Sequence, residues 1–586
     1  MKKHKVKLSK YTKPYILSII LAPLLMVLEV SMDLMQPSMM SVVIDDGINA
    51  PGGCNMNVIL FTSLKMIIFA LIGLIGGFGC TYFSSKASQN FGADLRLDLF
   101  QKIQTFSFSQ TDKFSTGSLV TRLTNDVTQL QNLLMMALRM LIRAPMQCIG
   151  GIIMALFIDL RFGFILLITL PVMLLIIFLI ITKGGPLFSK MQQKLDKLNG
   201  IMQENLTGAR VVKAYVRENY EITKFQDINH DLTKISLKVM RIMSAMSPIM
   251  MLFMYGVLSA VIYVGGLEVD LGQLMPGQIT AVITYMMQSL MSMMFMSMMF
   301  MMLSRARASS DRIKEVLQTE TTMQNGARKL HTKENTGLSI TFKNVSFRYP
   351  DSSGDPVLSN INLEIHAGQT VAILGSTGSG KSTLVNLIPR FYDATEGEVL
   401  IDGINVQEYQ LETLRKKIGC VLQQSTLFSG TIMENIKWGN PDGCDKKAMR
   451  AAEIAQAATY IQTFSNGYQT MLGQGGLTLS GGQKQRLCIA RALMRDPAIL
   501  IMDDSTSALD MATEAKLRKE LLQNMRGMTV IIIAQRISSV QNADKIVVLD
   551  NGKICDIGNH ETLMKSSEIY QDIYSSQIGT GGNQDG

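Results

Sequence analysis

Residues Val371 to Thr383 read VAILGSTGSGKST. Four apolar residues of strand character run into a glycine-rich turn, and Lys381 and Ser382 open a stretch of helical character. The loop carries G-x-x-x-x-G-K-S from Gly375 to Ser382, in the strand, loop, helix context that a phosphate-binding loop requires. Gly375, Gly378 and Gly380 let successive backbone N–H groups turn inward on an anion, and the helix behind them points its partial positive end at the same place. Ser376, Thr377, Ser379 and Thr383 complete the expected cradle, Lys381 is placed to reach the β- and γ-phosphates, and Ser382 to hold Mg²⁺. A glycine turn that merely joins strand to helix is the competing interpretation, and the complete motif in this context argues against it. The stretch predicts a nucleoside triphosphate site.

Outward from that loop the chain divides by composition. At 586 residues it is too long for one core, and 47% hydrophobic residues point away from an ordinary soluble protein. The apolar excess lies before Leu303, and the region after Asn335 reads as a mixed α/β domain. A net charge of +9 could suggest nucleic acid, but no basic stripe with interleaved aromatics accompanies it. The surplus sits in the N-terminal tail and in loops between apolar runs, where a membrane accounts for it, so no nucleic-acid partner is expected. Seven scattered cysteines without C-x-x-C spacing indicate neither a zinc site nor a disulfide framework.

Six apolar segments follow a tail with six lysines: Tyr15 to Met35, Val58 to Tyr82, Leu133 to Ile158, Phe164 to Ile181, Met246 to Val264 and Ile279 to Leu303. Each is near the ~20 residues that a helix needs to cross a bilayer, so six transmembrane helices are expected. The segments Gln36 to Asn57 and Gly266 to Gln278 hold no Lys or Arg, whereas Phe83 to Asn132 and Thr182 to Ala245 are rich in both. The positive-inside rule then places the N-terminus, both long loops and the phosphate-loop domain in the cytoplasm of a multi-pass cell-membrane protein. Apolar residues at helical spacing, such as Leu95, Leu99 and Ile103, extend the membrane helices into hairpins with tips near Ser107 to Ser115 and Ala214 to Phe225. Those tips are expected against the nucleotide domain.

Within the spans, Glu29, Asp33, Arg139 and Arg143 are either an internal ion-pair system or substrate contacts. The run MMQSLMSMMFMSMMFMML in the sixth segment offers flexible, polarizable side chains; most should replace Leu in packing, with Met286, Met287, Met293, Met294 and Phe295 as candidates for lining a path. Asp45 and Asp46 are candidates for an external gate.

Downstream of the phosphate loop, AILIMD is an apolar strand ending in Asp503, the expected second Mg²⁺ contact. Between the two lies LSGGQ, Leu479 to Gln483. With these residues the chain resembles an ATP-binding cassette exporter, six membrane helices fused to one cassette, over nearly its whole length. The resemblance implies a helical membrane domain plus an α/β P-loop NTPase domain, with ATP and Mg²⁺ as ligands. It implies the divisions 1–14 basic segment, 15–310 transmembrane domain, 311–337 linker, 338–576 cassette and 577–586 flexible tail. By the same resemblance Tyr349 stacks on adenine, and Gln423 senses Mg²⁺ and the γ-phosphate. Ser480, Gly481, Gly482 and Gln483 are signature residues that contact ATP held by the opposite cassette, and Asp510 ends a loop linking the two sites.

Two departures concern hydrolysis. Asp504 stands where the family's competent site has Glu, and its carboxylate should fall short of the attacking water by roughly 1 to 1.5 Å. Gln535 stands where the family has a switch histidine and cannot carry a positive charge. Gln474 replaces a frequent Glu in a segment that touches the membrane-domain loops. Degenerate catalytic positions beside an intact signature resemble one half of a heterodimeric multidrug exporter for hydrophobic or amphipathic compounds. Such a half holds a degenerate ATP site of its own and completes the hydrolytic site of a second half-transporter. A homodimeric exporter, a lipid or peptide exporter and an ATP-gated channel are the alternatives.

Overall fold

The computed structural model describes residues 7–50, 53–320, 323–331, 336–350, 352, 354–524 and 527–578. Parts of the expected basic segment (1–6), linker (321–322, 332–335) and tail (579–586) lie outside the described residues, as does the side chain of Met294. The chain forms two compact units, Met1–Gln104 with Thr116–Thr319, and Thr105–Ser115 with Glu320–Gly586. Their junction at Thr319 and Glu320 falls inside the stretch expected as a linker. The segment Thr105–Ser115, expected within the transmembrane domain, belongs instead to the second unit.

In the first unit the six apolar runs lie in six long helices, Ile16–Val42, Met56–Gln104, Val127–Ile158, Leu160–Thr207, Glu218–Asp270 and Pro276–Gln318. Among the described residues, four helical stretches are long and apolar enough to cross a membrane: Leu8–Ile48, Met56–Gln104, Thr116–Ile158 and Glu218–Asp270. Leu160–Ile176 is a shorter apolar stretch. The 49 residues of Met56–Gln104 span roughly 74 Å at about 1.5 Å per residue, more than twice the ~30 Å hydrocarbon core. That helix therefore continues far beyond it, as the spacing of Leu95, Leu99 and Ile103 predicts.

Close approach fixes the first two helices together: a Cβ on Gly76 would stand 2.8 Å from the Leu25 carbonyl oxygen. Beside that contact the Arg143 guanidinium pairs with Glu29 at 2.6 Å and Asp33 at 3.3 Å. Three of the four intramembrane charges thus form an internal ion-pair system, the form in which such groups are tolerated in an apolar medium. Met286 and Met293 are buried in a cluster with Met173, Met250 and Leu290, so both serve the core. Met287 packs against this cluster and Phe295 is exposed. A cavity of about 160 Å³ lies against the same cluster, lined by Met173, Ser247, Met250, Met251, Met254 and Met291 among others. Asp45, a gate candidate by sequence, is buried and accepts the Gly277 N–H at 2.6 Å, anchoring the start of the Pro276–Gln318 helix. Near the other end of that helix, buried Asp126 accepts hydrogen bonds from Ser309 at 2.9 Å and from the Arg312 Nε at 2.8 Å.

In the second unit a six-stranded sheet runs Lys553–Gly558, Lys545–Asp550, Thr370–Leu374, Thr529–Ile533, Ile499–Asp503, Ile418–Val421, and only the edge strand Lys553–Gly558 is antiparallel. Its central strands read as continuous apolar runs because both faces are covered. A four-stranded antiparallel sheet containing Ile340–Phe347, Leu358–Ile365, Glu396–Ile401 and Ile404–Asn405 packs into the same core.

Candidate nucleotide site

Register builds the site. Ile533 lies opposite both Ile373 and Asp503, so three neighbouring parallel strands end together. Their carboxyl ends release Gly375 and its loop, Asp504, and Gln535 at one sheet edge, where α/β sheets bind ligands. The loop geometry demands glycine: Gly378 has φ 86° and Gly380 φ 97°, in the left-handed region. A Cβ at Gly375 would collide with the Leu549 carbonyl oxygen.

Lys381 donates from Nζ to the carbonyl oxygens of Gly375 at 3.0 Å and Ser376 at 2.6 Å, which holds the ammonium inside its own loop. Burial lowers its pKa against the attraction of Asp503 and Asp504. Ser376 donates to Asp550 at 3.3 Å, and Ser379 and Thr383 are buried in the loop's support. Thr377 is exposed on the rim.

Ser382 Oγ donates to Asp503 Oδ1 at 3.0 Å. Two hard oxygen donors so placed fit Mg²⁺, which takes few protein oxygens alongside phosphates and water. Burial raises the Asp503 carboxyl above its ordinary range; the Ser382 hydroxyl lowers it and the Asp504 charge raises it further. Asp504 is raised by burial too, offset by Lys381 and Arg536. It holds φ 46°, a left-handed conformation that Asp tolerates better than most residues. The Gln535 amide donates to Asp504 Oδ2 at 3.1 Å, so the two departures from the family pattern contact each other. Gln423 is exposed and makes no hydrogen bond to Ser382 or Asp503 among the described residues. Gln474 is exposed as well.

Tyr349 is half-buried, edge-on to Phe347 and Tyr392 with centroids 4.9 and 5.3 Å away, and its hydroxyl shares a hydrogen bond with Thr383 at 3.0 Å. Tyr392 donates its hydroxyl to Asp112 at 2.6 Å, and Phe108 stacks on Phe391 at 4.4 Å. The segment Thr105–Ser115, part of this second unit, thus shares an aromatic cluster with the ring expected under adenine. Nothing in the spacing of Tyr392 pointed to this; only the two aromatics of RFYD, next to a positive-φ Arg390, hint at a special turn.

The signature is built differently. Ser480 caps the helix Gly481–Leu493: its Oγ accepts the Gln483 N–H at 3.3 Å while Gln483 Oε1 accepts the Ser480 N–H at 2.9 Å. Such a reciprocal cap leaves the Ser480 O–H and the N–H groups of Gly481 and Gly482 free of the helix's own ladder. Buried Gln485, which the sequence reading passed over, accepts the Ala508 N–H at 3.1 Å and donates to Ser507 at 3.4 Å. It ties the signature helix to the loop ending at Asp510, whose carboxylate accepts from Thr513 N–H at 2.8 Å and Thr513 Oγ1 at 2.7 Å. Those hydrogen bonds hold the exposed Asp510 carboxyl below its usual range.

A P-loop cassette that carries this signature, in one chain with long apolar helices, defines an ATP-driven membrane transport protein. Family models match accordingly, the ABC transporter transmembrane region over residues 19–293 and ABC transporter over residues 358–507. YfiB of Bacillus subtilis (strain 168), an uncharacterized ABC transporter ATP-binding protein, is 40% identical over 580 residues, covering 99% of each chain. The ATP-dependent lipid A-core flippase of Syntrophus aciditrophicus (strain SB) is 35% identical over 522 residues, 88% of this chain and 86% of that one. A bacterial Atm1-family ABC exporter solved with ATP bound superposes with a TM-score of 0.79 at 23% identity, covering 96% and 99% of the two chains. The chain belongs to the ABC transporters, and has the exporter fold in which a membrane domain is fused to one cassette.

Proposed function

We propose that this chain is the degenerate-site half of a heterodimeric exporter of hydrophobic or amphipathic compounds. The observation that carries the proposal is the Gln535 to Asp504 hydrogen bond at 3.1 Å, set against a signature whose cap is complete. A water-activating carboxylate must reach the reacting water, and its partner should stabilise the charge that develops. Asp504 is one methylene short of Glu, its oxygen is engaged by a neutral amide, and Gln535 offers no positive charge. Both losses fall in the site of this chain's own P-loop.

In the cytoplasm, Tyr349 would stack on adenine, the loop 375–383 would bind the phosphates, and Ser382, Gln423 and Asp503 would hold Mg²⁺, which neutralises phosphate charge when bound. This chain's residues bind and orient ATP there and hydrolyse it slowly. The signature, Ser480 to Gln483, would complete the working site on the partner's P-loop. Substrate would meet the membrane helices, where the methionine-lined cavity accommodates apolar groups of varied shape. Similarity to a lipid A-core flippase favours a lipid-like amphiphile as a second reading of the substrate.

The test is ATPase activity of this chain purified alone and with the half-transporter that co-purifies with it. Near-inactivity alone with turnover in the pair supports the proposal. Hydrolysis by the lone chain at the pair's rate overturns it.

A further inference from the structure

The expected flexible tail begins at Gln577, yet that residue lies inside the helix Glu568–Ile578. From there its side chain grips the loop that carries Gln535. Its Nε2 donates to the Gln535 carbonyl oxygen at 2.7 Å, and its Oε1 accepts the Ile537 N–H at 2.8 Å. One primary amide thus satisfies an acceptor and a donor on either side of Arg536. It pins the turn between the strand Thr529–Ile533 and the helix Ile537–Val540 at two points. Only Asn and Gln side chains offer a carbonyl and an N–H₂ together, and Asn is a methylene shorter.

The arm that holds this amide is itself anchored. Tyr570, on the same helix, is fully buried in a cluster with Ala372, Leu374, Ala534 and Ile537, and its hydroxyl shares a hydrogen bond with His560 Nδ1 at 2.7 Å. Ser567, just ahead of the helix, donates to Asp556 at 2.6 Å. The cluster therefore joins the strand entering the P-loop, the base of the Gln535 loop and the C-terminal helix in one packed body.

We propose that Gln577 is a positioning residue for the nucleotide site: by clamping the backbone at Gln535 and Ile537 it sets where the Gln535 amide stands, and so maintains its bond to Asp504. The inference rests on reading Gln535 as the residue that faces the γ-phosphate. A loop pinned in advance gives up less freedom when ATP binds, so the clamp slows nucleotide release.

The experiment measures release of Mg·mant-ATP from the full-length chain in lipid nanodiscs, for the parent, Gln577→Ala, Gln577→Glu, Gln535→Ala and the Gln535→Ala, Gln577→Ala double variant. Gln577→Ala should speed release about fivefold, the size of one net hydrogen bond. Gln577→Glu keeps the length and the acceptor for Ile537 but sets a carboxylate against the Gln535 carbonyl, and should speed release at least as much. In the Gln535→Ala background Gln577→Ala should change nothing further, which a merely structural loss would not show. Equal release in the parent and both Gln577 variants overturns the clamp, as does the same acceleration with and without Gln535. Fast release from the parent would count against a retained-ATP site, while the non-additivity would still decide the role of Gln577.

Discussion

The signature and the P-loop, the two half-sites of the proposed function, are made in different ways. The signature end is local: Ser480 and Gln483 satisfy each other across three residues, and Gln485 adds bonds to the Ser507 hydroxyl and the Ala508 N–H. The P-loop end is assembled from three strands, and its hydrolytic edge depends on Asp504 and Gln535 meeting from neighbouring strand ends. A local cap keeps its geometry as long as its helix forms. A cross-strand pair can alter its chemistry while ATP binding survives, because the phosphate loop does not use those two side chains. On the proposed function, this chain keeps a signature for another cassette beside a site of its own that binds more than it cleaves.

The largest effect should come from Lys381→Ala. Removing the ammonium expected to reach the β- and γ-phosphates should weaken ATP binding at this chain's P-loop by about 10² to 10³-fold, measured by mant-ATP titration. It should leave the signature's contribution to a partner intact. Ser480→Ala attacks the other half-site: turnover of the assembled pair should fall about a hundredfold, as for loss of one transition-state donor. ATP binding at this chain's own P-loop should hold, with only the ~1 kcal/mol penalty of a lost helix cap in thermal melts. An equal effect of both variants on both sites would erase the distinction between them.

The comparison sharpens with the reverse change. Asp504→Glu together with Gln535→His should raise hydrolysis at this chain's site by about 10 to 100-fold in single-turnover assays, restoring reach and a protonatable partner. Tyr392→Phe removes the hydroxyl bond to the exposed Asp112 carboxylate and should cost about 1 kcal/mol, seen as a lower melting temperature with a small rise in the ATP concentration needed for half-saturation.

The smallest effect is in pH. Asp503 and Asp504 have carboxyls raised on folding, so the folded state takes up protons there. Their contribution to stability is greatest in acid and falls as pH rises from the unfolded value of 3.8 through the raised one. Protons compete with Mg²⁺ at Asp503, so Mg-dependent ATP binding should weaken on acidification at a pH above the ordinary aspartate range. Calorimetric titration across the acid range checks this.

Much of this was legible in the sequence because it is local. The phosphate loop, the Asp503 strand end and LSGGQ are contiguous words, each tied to one turn or one helix end. The six apolar runs lie in six long helices because apolar composition at helical length is itself a local signal, and four helical stretches among the described residues are long and apolar enough to cross a bilayer. What stayed hidden depends on chain segments far apart. Asp112 meets Tyr392 across 280 positions and Gln577 reaches Gln535 across 42, with no periodicity to link them. Asp45 read as a candidate for an external gate; only the fold shows it holding the Gly277 N–H. The paired intramembrane charges were ambiguous for the same reason, since ion pair and substrate contact have one composition and two geometries.

The most direct test asks which P-loop turns over. The assembled pair, given photoreactive 8-azido-ATP and trapped with vanadate, should label the partner's chain with the diphosphate and this chain with uncleaved triphosphate. Vanadate-trapped diphosphate on this chain, to the same extent as on its partner, would contradict the account and make Asp504 a competent catalytic residue.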